Sequence, residues 1–221
     1  DLSTIRWRWG LDRELLRLSL PAAGERLMMR AGDVVIIAIV VVFGTDAVAG
    51  NAIGEVLTQF NYMPAFGVAT ATVMLVAHAV GEGDMQAVGQ IRQWAFWLSF
   101  ACMLPLALGI FALGQPLTLL YTDNNGAITA SLSVILFSLL GTPMAVGTVI
   151  YTAVWQGLGN ARLPFYATTI GMWLIRIIAG YVLGVTCGLG LPGVWAGTLL
   201  DNGFRWLFLK VLFDRKMREI A

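Results

Sequence analysis

The chain has 221 residues, 58% of them hydrophobic and 12% charged, with a mean hydropathy of +0.77 and a formal net charge of +1. That apolar fraction exceeds what a soluble domain of this size needs to fill its core, so the chain is read as an integral membrane protein. The net charge is uninformative as a total, since a chain in a bilayer carries its message in where the charges sit; no nucleic-acid partner is expected, and Cys102 and Cys187, each in an apolar stretch, give neither a metal site nor a disulfide framework anything to build on.

In chain order, residues 1–18 interleave Trp7 and Trp9 with Arg6, Arg8, Asp12, Arg13, Glu14 and Arg17, which is too charged to cross a bilayer. This stretch is expected to be a cytoplasmic interfacial segment or linker. It lacks the short apolar core and cleavage site of a secretory signal, and an opening Asp1 in place of Met is expected of a fragment or a processed piece.

Spans follow at about 20 mostly apolar residues each. The reading gives six helices, at 19–43, 48–79, 93–114, 127–157, 164–186 and 192–213, with 214–221 as a cytoplasmic tail. Transmembrane strands are excluded because runs such as 34–42 show no apolar and polar alternation. Glycine-rich and Asn/Asp-rich turns at 44–46, 81–84, 121–126, 157–160 and 188–192 separate the helices. Pro64, Pro105 and Pro143 fall inside spans, where each is a bend or a gating hinge. Small-residue runs at Gly67, Ala69 and Ala71 and at Gly193, Ala196 and Gly197 are expected to be packing seams.

Short connections make successive helices antiparallel. Arginine and lysine before the first span, at Arg92, at Arg162 and after the last span all fall on one side, and the alternate loops have none. The positive-inside rule then places both termini in the cytoplasm of a multi-pass plasma-membrane protein, here the bacterial inner membrane.

The charges within the spans carry the functional signal, since a charge in hydrocarbon is costly. They are Glu25, Arg26, Arg30 and Asp33 in the first span, Arg176 in the fifth, and Asp201 and Arg205 in the sixth. At 1.5 Å per residue, Arg30 and Asp33 lie roughly 15–20 Å into a core of about 30 Å, too deep to snorkel easily. Arg176 and Asp201 are expected to pair across helices, with Asp201–Arg205 as an i, i+4 alternative. Glu25 and Asp33 are the candidates for exchanging a proton or cation, because a buried carboxylate can be filled and emptied near neutral pH.

The second span carries Asn51, Glu55, Thr58, Gln59, Asn61 and Tyr62, followed by Met63, a polar density that points to a water-filled cavity rather than lipid. Phe60, Phe66, Met63, Trp155 and Trp173 are candidates for an adaptable lining for apolar cations. His78 is expected to hydrogen-bond at the interface. No nucleophile–base pair or metal-ligand cluster appears, so neither an enzyme nor a resident cofactor or metal is expected.

Six segments in order, 18–22 (LSLPA), 43–54 (FGTDAVAGNAIG), 63–84 (MPAFGVATATVMLVAHAVGEGD), 157–164 (GLGNARLP), 171–181 (GMWLIRIIAGY) and 188–205 (GLGLPGVWAGTLLDNGFR), resemble the carboxy-terminal lobe of the multidrug and toxic compound extrusion (MATE) transporters. The resemblance implies an antiporter that exports organic cations or other drugs in exchange for H+ or Na+. It implies twelve helices in two six-helix lobes related by a pseudo-two-fold axis, with this chain as one all-α lobe and the amino-terminal lobe, or a second copy, as its partner. Glu25, one turn after Pro21, fits a bacterial branch of the family. Met29 stands where the sodium-coupled branch has an acid, the fourth span lacks that branch's other acid, and the family's Arg-Gly-x-Gly-Asp-x-Arg turn reads Gln156-Gly157-Leu158-Gly159-Asn160-Ala161-Arg162. Two other readings stand beside it. A lipid-linked precursor flippase of the related superfamily should carry more cavity arginine for diphosphate, and a non-transporting membrane scaffold should tolerate amides at Glu25 and Asp33.

Overall fold

A computed structural model describes residues 9–220, with side chains from 19 to 219. The described residues are helical, without strands: α1 (Trp9–Val41), α2 (Thr45–Glu82), α3 (Met85–Ala112), the short α4 (Gly114–Leu119), α5 (Asn125–Gly157), α6 (Arg162–Thr186) and α7 (Leu191–Ile220). The six long rods correspond to the six expected spans, and α4 is an addition. By length and apolarity, α2, α3, α5 and α6 suffice to cross a membrane. The sequences of α1 and α7 are interrupted by charged residues.

The rods overrun their apolar windows. At 1.5 Å per residue a 38-residue α2 is about 57 Å long against a core of about 30 Å. The expected boundary at residue 18 is also crossed, because α1 runs unbroken from Trp9 through Pro21. Residues 1–8 of the expected interfacial segment lie outside the described residues. At the other end α7 continues to Ile220, so the expected tail is a helical extension of the last span.

Turn chemistry closes the connections as the sequence requires. Gly83 caps α2 at φ 77°, a left-handed conformation that a Cβ would strain. Asp84 then caps α3 by accepting from Ala87 N at 2.9 Å. Asn124 caps α5 in the same way and also donates to Asp46 Oδ1 at 2.9 Å, which ties the α1–α2 turn to the start of α5.

Helix α5 is the central element, packed against α2, α3 and α7, while α1 packs chiefly on α6 and α6 on α7. Glycines set the close approaches. A Cβ on Gly193 would meet the Leu183 carbonyl, and one on Gly197 would meet Gly180 N, so Gly180 and Gly184 of α6 face Gly193 and Gly197 of α7 in a small-residue seam. Gly50 and Gly54 do the same for α2 against α5. Gly67 looks into open space, so the expected seam on that part of α2 is not an internal one.

Two apolar clusters fill the interior. One gathers Val76, Met103, Ile150, Trp155, Leu209 and Phe213, and the other Ile36, Val40, Val134, Leu191 and Val194. Helix α7 contributes Val194 to one and Leu209 to the other, and Asp201 and Arg205 lie between them in the chain.

Candidate functional site: a charged stripe at mid-depth

Pro21, Glu25, Met29 and Asp33 recur every fourth residue on α1 and therefore share one face. Each of the last three meets its own partner. Glu25 accepts from the Thr168 hydroxyl of α6 at 3.0 Å and from Gln156 Nε2 of α5 at 3.5 Å. The Met29 sulfur accepts from Arg205 Nη1 at 3.2 Å. Asp33 accepts from Arg176 Nη1 at 3.5 Å and pairs with Arg30 at the same distance.

The expected Arg176–Asp201 pair is not formed. Asp201, fully buried, binds Arg205 Nη2 at 2.5 Å, one turn along α7, and Arg205 also donates to Asn202 Oδ1 at 3.3 Å. The pairing within one helix wins because i, i+4 geometry is pre-set by the backbone and needs no second helix to order it. Arg176 turns instead toward Asp33 and toward the Met172 sulfur of its own helix at 3.7 Å.

Arg30 was expected to belong to the buried network, yet its side chain is 85% exposed on the lobe. Arg26 is exposed too. Both lie on an exposed side of α1, which the axial depth of a residue cannot reveal. The buried charges are thus Arg176, Asp201 and Arg205, with Glu25 and Asp33 half-buried at the edge.

Glycine and helix irregularity make room for this arrangement. The six residues Gly171–Arg176 form a π-helical segment inside α6, a form that appears often at functional sites. A Cβ at Gly171 would collide with Asp201 Oδ1, and one at Gly32 with the Met172 side chain. Asp201 Oδ1 itself is buried without a hydrogen-bond partner, as are Arg176 Nε and Arg205 Nε. Sequence reading missed Thr168, Gln156 and Gly171. The four-residue spacing on α1 was visible, but no single-residue signal marks the partners.

The polar residues of α2 divide between two faces. Asn51 and Asn61 are buried in the lobe, where Asn51 accepts from Trp195 Nε1 at 2.9 Å and donates to Glu55 at 3.1 Å. Asn61 Oδ1 has no partner. Glu55 and Tyr62 are half-buried, and Gln59 and Met63 are exposed. The expectation that all six line one cavity is corrected: helical periodicity buries Asn51 against Trp195 of α7 and turns Thr58 and Asn61 into a small space shared with Ala107 and Ile110 of α3 and Ile135 and Ser138 of α5, and leaves Glu55, Gln59 and Met63 beside exposed Phe60 and Phe66. Trp155 also leaves the expected lining, since it is 3% exposed and donates to Leu209 O at 3.1 Å.

A bundle of long apolar helices carrying paired, buried charges belongs to the class of multi-pass membrane proteins. The MatE family model matches residues 21–182, and the chain belongs to that family of membrane transporters. It is 32% identical over 208 residues to a probable multidrug resistance protein NorM of Thermotoga maritima, covering 93% of this chain and 44% of the relative. It is 31% identical over 220 residues to a probable multidrug resistance protein NorM of Xanthomonas axonopodis pv. citri, covering 97% and 47%. The fold superposes on the crystal structure of a MATE protein in the straight conformation with a TM-score of 0.87 at 19% identity, covering 97% of this chain and 48% of that one. The chain therefore spans about half the length of the relatives it matches.

Proposed function

We propose that the chain is one half of a secondary active multidrug efflux antiporter, exporting organic cations or drug-like compounds in exchange for H+ or Na+, with Glu25 as the ion-responsive group. The observation that carries this is the asymmetry among the carboxylates. Asp201 has Arg205 and Asp33 has Arg176 and Arg30, whereas Glu25 has no cationic group within 4.0 Å among the described residues and is held by neutral donors, Thr168 and Gln156. A carboxylate paired with arginine already has its counter-charge in place. One held by a hydroxyl and an amide can take up a proton or a cation and release it.

This ranks Glu25 above Asp33, which becomes part of the charged network that fixes α1 against α6. The half-buried Glu55 and the exposed Gln59, Phe60, Met63 and Phe66 of α2 are the proposed substrate-facing surface, completed by the amino-terminal lobe or a second copy. The names of the relatives, which are multidrug resistance proteins, support the substrate class. Orientation with both termini cytoplasmic in a bacterial inner membrane follows from the arginine and lysine bias.

The test is dye efflux from proteoliposomes driven by a proton or a sodium gradient, using the two-lobe assembly. Glu25→Gln keeps the hydrogen-bonding shape and should abolish gradient-driven efflux while leaving the folded protein intact. Wild-type rates in that variant would remove Glu25 from the coupling step, and absence of gradient-driven efflux from the wild-type two-lobe assembly itself would favour a scaffold role.

A further inference from the structure

A second cluster of cations lies away from the mid-depth stripe, about two turns from the start of α3 and near the ends of α5 and α7. The Arg92 guanidinium sits between two rings, 5.6 Å from the Tyr151 centroid and 5.4 Å from that of Phe213, and Nη1 donates to the Tyr151 hydroxyl at 2.6 Å. Its Nε is enclosed without an acceptor. Lys216 Nζ lies 5.5 Å from the Trp155 ring and Lys210 Nζ 5.9 Å from the Trp206 ring. None of the three has a carboxylate within 4.0 Å among the described residues, although Asp214 stands near Tyr151. Aromatic faces hold these cations, and no direct ion pair neutralises them among the described residues.

Next to the cations the groove between α3 and α7 is apolar. Phe96 of α3 stacks on Trp206 of α7 at 6.0 Å and on Phe100 at 6.3 Å, and a Cβ at Gly147 would enter the Trp206 indole, so that ring lies directly on the α5 backbone. Trp94 and Trp97 project from α3, 76% and 56% exposed. Cations at one end of this surface groove and stacked aromatic rings along it match an amphiphile with an anionic head.

We propose that this groove binds an anionic glycerophospholipid, its phosphate among Arg92, Lys210 and Lys216 and an acyl chain along Phe96, Phe100 and Trp206. Basic pockets between transmembrane helices suit phosphate headgroups, and aromatic side chains favour the headgroup level. A zwitterionic headgroup brings its own cation toward three fixed ones and is disfavoured. A free phosphate would use the cations and nothing of the groove.

The experiment is native mass spectrometry of the purified protein in detergent, titrated with dioleoyl phosphatidylglycerol, with dioleoyl phosphatidylcholine, and with inorganic phosphate as competitor. Phosphatidylglycerol should bind preferentially, weakening by roughly fivefold for each basic residue replaced by Gln and by about a hundredfold for the triple Arg92→Gln, Lys210→Gln, Lys216→Gln variant. Because Lys210 and Lys216 are half-exposed, the Lys210→Gln, Lys216→Gln pair keeps the fold and decides the matter without Arg92. Equal affinity for phosphatidylcholine, unchanged affinity in that pair, or displacement by equimolar inorganic phosphate would each overturn the proposal.

Discussion

Arg205 and Met29 meet at 3.2 Å, a guanidinium of α7 on a thioether of α1, midway between Glu25 and Asp33 on the same helical face. A weak, neutral acceptor at this point leaves Arg205 committed to Asp201 and keeps the α1 contact soft. The α1 stripe is thereby attached to the rest of the lobe by one neutral clamp, one thioether contact and one ion pair at 3.5 Å.

For Asp201 and Arg205, removal of either partner alone should destabilise the folded protein by about 3–5 kcal/mol, because the survivor is left buried and unpaired. The Asp201→Leu, Arg205→Met double variant should lose clearly less than the sum. An Arg176 and Asp201 cycle should be additive within about 0.5 kcal/mol. Unfolding in detergent measures all three, and strong coupling between Arg176 and Asp201 would refute the pairing described above.

Thr168→Val removes the shorter of the two hydrogen bonds to Glu25 and leaves the carboxylate in place. One hydrogen bond is worth about 0.5–1.5 kcal/mol, so the ion concentration at half-maximal efflux should move by roughly two- to tenfold with maximal rate largely retained. Gradient titrations in proteoliposomes of the two-lobe assembly read this directly. An unchanged ion dependence would count against Glu25 as the responsive group.

Two glycine substitutions should have opposite outcomes. Gly193→Ala drives a methyl into the Leu183 carbonyl and should cost about 1–3 kcal/mol through displacement of α7 from α6. Gly67→Ala enters open space in a helix and should be neutral or stabilising by up to about 1 kcal/mol. Thermal midpoints in one detergent compare them.

Orientation is checked by single cysteines in intact cells. Labels should reach positions 124 and 190 from outside and position 160 only after permeabilisation, since the loop with Arg162 carries the positive side. Labelling at position 160 in intact cells would invert the topology.

Isolated in liposomes, a monomer of these 221 residues should not perform ion-driven efflux. An alternating cavity between lobes needs both walls to exclude water, and half of one presents Glu55 and Gln59 to lipid. Counting subunits by cross-linking alongside the efflux assay separates an inactive monomer from an active dimer.

Composition and periodicity alone gave a membrane protein of six long helices and their turns, and the resemblance of six ordered segments pointed to the family. These are one-dimensional properties: hydrocarbon requires apolar length, glycine and asparagine mark turns, and a charge among leucines is costly wherever it points. Which way it points was decided only by tertiary structure. Arg30 and Arg176 looked equivalent in depth, yet one is 85% exposed and the other buried, because helix rotation about its own axis is set by packing partners such as Gly32 against Met172 and Gly197 against Gly180. The choice of Arg205 for Asp201, and of Thr168 and Gln156 for Glu25, has the same origin, for a side chain's partner is fixed by which helix face lies opposite it.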